Sequence, residues 1–110
     1  MNKKKKSRYR TFDEVVEERF REHPEEIEGF LQTVLEEYEK DPDEGELLWA
    51  LRHVVKANGG MTELAKKTDL SRERLHKTLS PDGNPRLRNL RLILQELGYT
   101  LTFKPIRTNR

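Results

Sequence analysis

The chain contains no cysteine. A disulfide framework, a thiolate zinc site and a cysteine nucleophile are therefore excluded, and the composition suits a reducing cytoplasm. Long hydrophobic runs are missing too. No apolar stretch approaches the roughly 18 residues that a membrane span needs, and no apolar segment of the signal-peptide kind follows the N-terminal charges. A cytoplasmic protein, neither membrane-spanning nor secreted, is expected. Hydrophobic residues make up only 33% and aromatic residues 7% of the 110, against 38% charged. So little apolar surface builds a thin core of amphipathic helices rather than a buried sheet. The length suits one compact domain with a short extension.

Charge is abundant but segregated. Residues 1–10 hold six Lys/Arg and no acid; residues 11–48 hold fifteen Asp/Glu against three Lys/Arg; residues 49–110 hold thirteen Lys/Arg against five Asp/Glu. The net +2 therefore conceals an acidic half and a basic half, which suit two different partners. Residues 1–10 have no hydrophobic periodicity and read as a basic disordered arm. Residues 11–45 read as an acidic helical region, 46–105 as the basic domain, and 106–110 as a tail.

Thr11 and Glu14 have capping-box spacing, so a helix starts near Phe12, with Phe12, Val15, Val16 and Phe20 as its buried stripe. His23-Pro24 ends it, because the residue before proline avoids helical dihedrals, and Pro24 suits the first turn of the next helix. That helix buries Ile27, Phe30, Leu31, Val34, Leu35 and Tyr38. Asp41 to Gly45 is a turn. A third helix spans about Glu46 to Ala57 on Leu47, Leu48, Leu51, Val54 and Val55, with Trp49 to one side and partly buried. Asn58-Gly59-Gly60 ends it. Two short helices, Met61–Thr68 and Ser71–Leu79, precede a loop of turn residues from Ser80 to Pro85. Leu87, Leu90, Leu94 and Leu97 mark a last helix closed by Gly98. Tyr99, Leu101 and Phe103 then alternate with polar residues as in a strand. The chain has no other strand, so this one is expected to pair with its own copy across a homodimer axis.

The two short helices carry the functional signal. Ala65 is small where a second helix crosses closely. Asp69 is one of the few non-glycine types that enters the left-handed region. Leu70 plugs the core and Ser71 supplies an N-cap. Leu75 and Leu79, with Thr78 beside them, form the buried side. Arg72, Glu73, Arg74, His76 and Lys77 are left on the outer face, as a helix-turn-helix entering the major groove requires. Arg and Lys donate to guanine O6 and N7, and Glu accepts from cytosine N4. Arg72, Glu73 and Lys77 are the base-reading candidates, since the start of the second helix reaches base edges first. Backbone amides at Gly60 and Met61 are positioned to hold a phosphate. Ser71, Arg74, His76, Arg86 and Arg88 are further DNA contacts.

The run from Gly59 to Ser80 (GGMTELAKKTDLSRERLHKTLS), followed by Asp82-Gly83-Asn84-Pro85, resembles the addiction-module antidote family. These are HigA-like antitoxins with an Xre-type, lambda-repressor-like helix-turn-helix. The resemblance extends upstream through Phe30–Glu36, Asp41-Pro42 and Leu47–Gly60, and downstream to Pro105, so it covers about residues 10–105. It implies an all-α fold: a lambda-repressor-like domain with N-terminal acidic helices and a short C-terminal β-strand. It also implies an antitoxin that neutralises a small basic RelE/HigB-like RNA-cleaving toxin, and whose dimer represses the shared promoter through a palindromic operator. Three positions depart from the family pattern. Asp69 replaces the usual glycine, Met61 the usual phosphate-binding glutamine, and the Lys3–Lys6 arm is additional.

The acidic block suggests that residues 11–48 cover the toxin's cationic RNA-binding surface, with Glu36, Glu37 and Glu39 facing it. An enzyme is not expected. His23, His53 and His76 fall on three different elements and read as surface or cap residues, and no metal-ligand spacing, phosphate loop or nucleophile elbow occurs. No cofactor is expected. The alternatives are a free-standing Xre-type repressor without a toxin and an interaction adaptor whose acidic helices act alone. A basic neighbouring reading frame separates the first from the antitoxin, and salt-dependent duplex binding separates the second.

Overall fold

The computed structural model describes residues 11–107, so the basic arm at 1–10 and the end of the tail at 108–110 lie outside it. Among the described residues six α-helices follow in order: α1 (Phe12–Glu22), α2 (Ile27–Lys40), α3 (Glu44–Ala57), α4 (Gly60–Thr68), α5 (Arg72–Thr78) and α6 (Leu87–Glu96). A 3-10 turn, Pro24–Glu26, joins α1 to α2.

Local chemistry sets the helix ends. The Thr11 hydroxyl accepts from the Glu14 amide and the Glu14 carboxylate accepts from the Thr11 amide, both at 3.1 Å, which is the full capping box. His23 leaves helical dihedrals before Pro24 and stops α1. Across that corner Arg19 donates twice to Glu26, at 2.9 and 2.6 Å. This fork holds the Glu26 carboxyl below its ordinary value. Asp43 caps α3 by accepting from the Gly45 and Glu46 amides, so α3 begins two residues before the expected Glu46. Gly98 and Tyr99 close α6 by donating back to Gln95 and Leu94, at 3.0 and 2.8 Å. Gly98 sits at φ +96°, the left-handed conformation that this termination requires.

Helix α3 is the hub. It buries Leu48, Ala50, Leu51, His53, Val54 and Val55, so it has no broad solvent face. Helices α1 and α2 pack on one side of it and α4 on another, and α4 in turn carries α5 and α6. Phe20, Ile27 and Leu31 join the core from the acidic helices; Met61, Leu64, Leu75, Leu79 and Ile93 join it from the basic part. Tyr38 donates to Glu44 at 2.9 Å and ties the end of α2 to the start of α3.

Several apolar positions behave otherwise than their periodicity implies. Phe12 (70% exposed), Val15, Leu35 and Leu87 (71% exposed) face solvent. In α6 the buried positions are Asn89 and Ile93, flanked by Leu90, Leu94 and Leu97. Helical spacing says which residues share a face, but the width of the opposing helix decides how much of that face is covered. Trp49 is half-buried, as expected, stacked on Phe12 at 6.2 Å and edge-on to Phe30 at 6.3 Å. Among the described residues there is no strand. Residues 99–107 of the single chain find no partner edge, and a ladder needs one.

Candidate nucleic-acid interface

Two glycines with left-handed backbone, Gly59 at φ +106° and Gly60 at φ +86°, turn the chain from α3 into α4. At the far end of α4 the Thr68 hydroxyl donates to the Leu64 carbonyl at 2.7 Å. Asp69 then takes φ +67° and ψ +9°, the conformation expected of it. Asparagine and aspartate are the non-glycine residues that tolerate this region best. Ala65 and Leu70 pack, half-buried, against the core. The Ser71 hydroxyl accepts from the Arg74 amide at 3.0 Å and caps α5.

Helix α5 is thereby fixed in rotation. Leu75 and Leu79 are 0% exposed and Thr78 is buried. Arg72, Glu73, Arg74, His76 and Lys77 are all exposed. The five polar candidates therefore lie together on the outer side of one seven-residue helix. Ser71 is exposed beside its first turn, and Arg86 and Arg88 are exposed at the start of α6. Gly60 is half-buried. Met61 is not a surface residue: its side chain is in the core, so that position offers a ligand only its backbone.

The far end of α5 is held from a distance. The Arg52 guanidinium on α3 donates to the Leu79 carbonyl, at the helix terminus where backbone acceptors lack partners. Ser80 closes back on Lys77 through its hydroxyl at 2.9 Å, and the Gly83 amide donates to the Ser80 carbonyl at 2.8 Å. Sequence reasoning did not find Arg52. In the sequence it stands only as a charged neighbour of Trp49 on α3, and its half-burial is seen in the fold.

The other candidates separate. Glu36, Glu37 and Glu39 are exposed on α2, and Glu37 is 3.8 Å from Lys40. Tyr99 is half-buried on the core, and burial raises its hydroxyl pKa. Leu101 and Phe103 stand free, Phe103 being 94% exposed. His53 corrects its expected surface role: it is 1% exposed and lies between α1 and α3. Its Nε2 is 3.1 Å from an Asp13 carboxylate oxygen and its Nδ1 is 3.3 Å from one of Glu17. The signal available was the i, i+4 spacing of Asp13 and Glu17, which puts two carboxylates on one helix face. His23, Glu25 and Glu26 could present three metal-ligand atoms within 4.8 Å of one another. That exposed corner is already engaged, Glu26 by Arg19 and His23 by Glu25.

Among known families, that of the probable addiction module antidote protein matches residues 7–105. The chain belongs to this family. Comparison with curated proteins and with solved structures returned no match. As an antidote, the protein has an antitoxin role and, in general terms, a toxin partner. Among the antidote's described residues no helix is long and apolar enough to cross a membrane.

Proposed function

We propose that this antidote neutralises a small, basic, RelE/HigB-like RNA-cleaving toxin in the cytoplasm and, as a homodimer, binds a palindromic operator to repress its own operon. The observation that carries the DNA reading is the rotation of α5. Two leucines at 0% exposure anchor it while Arg72, Glu73 and Lys77 project outward with Arg74 and His76. A short capped helix held at both ends and lined with bidentate donors and one acceptor suits the major groove, where each base pair shows a distinct edge. The Xre-type, HigA-like assignment is part of the same reading. Reading a palindrome as a dimer requires two copies of α5 about one helical turn of DNA apart, roughly 34–36 Å, and the reading assigns the dimer contact to Tyr99, Leu101 and Phe103.

The acidic α1 and α2 support the toxin reading. Glu36, Glu37 and Glu39 face solvent, where complementary charge accelerates association with a cationic partner. The test is co-expression with the adjacent gene, purification of the pair, and gel shifts on upstream DNA. Arg72→Ala should cost about 1–3 kcal/mol and relax preference at one base. A loss equal on all sequences would move Arg72 to a phosphate. Reversing charge at Glu36, Glu37 and Glu39 should slow toxin association, and an unchanged rate would reject that docking surface.

A further inference from the structure

The interface between α1 and α3 contains an arrangement that the antitoxin reading does not use. His53 is buried, and each of its ring nitrogens faces a carboxylate from the same helix, Asp13 and Glu17, at 3.1 and 3.3 Å. Both nitrogens are shielded from solvent, and neither is aligned for a direct hydrogen bond. The attraction is therefore one of charge at close range. A neutral imidazole has one N–H and one lone pair, so it would turn that lone pair toward one of two anions. Only the imidazolium places positive charge between the two carboxylates, and burial of the ring strengthens the attraction, most of all toward Glu17, whose side chain is 14% exposed. The surroundings reinforce this preference. The His53 ring lies edge-on to Trp49 at 4.4 Å, a distance at which a cationic ring is attracted to the indole. Trp49 in turn stacks on Phe12, the first residue of α1.

We propose that the protonated His53 is a latch that docks α1 on α3, and that loss of one proton from the ring releases α1 from the rest of the fold. The ionisable groups facing the ring are Asp13 and Glu17 of α1. Lys56, one turn along α3, acts on Asp13, and α2 contributes the apolar Phe30 ring against Trp49. The His53 ring holds the Asp13 carboxyl below its ordinary value, so the anionic half of the latch persists in mild acid. Docking is strong where both carboxylates are charged and the ring carries two protons. It weakens when the ring loses a proton or when either carboxylate gains one. Apart from this pair of contacts, α1 is held by buried Phe20 against Phe30 and by partly buried Val16.

The experiment is amide hydrogen exchange on the full chain, expressed as protection factors, from about pH 5.5 to about pH 8.5, on either side of the ordinary histidine value. Fluorescence of Trp49, the sole tryptophan, is followed in parallel. Protection of α1 amides should fall across this range, while that of α4 and α5 holds. His53→Gln should abolish the step. If that variant does not fold, the paired change Asp13→Asn with Glu17→Gln, at positions nearer the surface, should abolish it instead while the ring still titrates by NMR. A wild-type α1 without a step overturns the proposal, as does a step that survives either variant or an equal loss across α1, α4 and α5.

Discussion

Gly83 is the position where the space around the backbone makes the sharpest demand. It lies in the loop that follows α5, and a Cβ built there overlaps the Thr78 carbonyl oxygen. The same atom would lie 2.9 Å from the Thr78 carbonyl carbon and 3.0 Å from the Ser80 carbonyl oxygen. All three neighbours are backbone, so no side chain can swing aside. Forcing such a shift costs about 1–3 kcal/mol. Loss of the Gly83–Ser80 hydrogen bond adds about 1 kcal/mol. Gly83→Ala should therefore destabilise the protein by about 2–4 kcal/mol, a large part of the 5–15 kcal/mol typical of a domain. Urea unfolding followed by circular dichroism measures this, with the m-value checking that the transition stays two-state. Gly29→Ala is the control. Gly29 lies within α2 with nothing within 4 Å of an added Cβ, so alanine there should stabilise by about 0.5–1 kcal/mol. A Gly83→Ala protein within about 0.5 kcal/mol of the parent would refute the claim that this turn is sterically closed, since shifts of that size are ordinary for harmless surface changes.

Ser71→Ala removes the side-chain N-cap of α5 and should cost about 1 kcal/mol in thermal or urea unfolding; an unchanged midpoint would mean that the core contacts of Leu75 and Leu79 and the bonds at the far end of the helix hold it without the cap. Because the Asp13 carboxyl is held below its ordinary value of 3.8, chiefly by His53, its contribution is present above that value and is lost as pH falls through the lower folded value. Asp13→Asn should flatten the acid limb of a stability–pH curve, and an identical limb in both proteins would reject the assignment. If the proposed homodimer pairs through the C-terminal segment, the parent should sediment as a dimer and Leu101→Lys with Phe103→Lys as a monomer; a monomeric parent would reject the dimer, and dimers retained in the variant would place its surface elsewhere.

Much of this architecture was legible because capping and turn chemistry are local. Thr11 with Glu14, His23 before Pro24, Asp69 with Ser71, and Gly98 each announce a chain reversal or helix end through groups a few residues apart. The outward set on α5 was legible for the same reason: Ser71 fixes where the helix starts, and the start fixes which side Leu75 and Leu79 bury. What depends on distant partners was not. His53 is covered because α1 folds over it, and Phe12, Val15, Leu35 and Leu87 stay largely exposed although their spacing puts them on apolar stripes. Arg52 finds its acceptor 27 positions away, a pairing that periodicity cannot encode. The alternation from Tyr99 to Phe103 records a potential for strand pairing, which a lone chain has no means to satisfy.

The position of α3 has a consequence for how the protein could be divided. The sign of the charge changes near its start, yet the same helix is the floor on which the acidic α1 and α2 rest and the wall against which the basic part assembles. A fragment cut near Gly45 would bare the flank of Leu48, Leu51 and Trp49 to water, and the piece removed would keep Phe20, Ile27 and Leu31 without a surface to cover them. The two electrostatic territories are thus one folding territory, and neither could be inherited, exchanged or grafted without carrying along the helix they share.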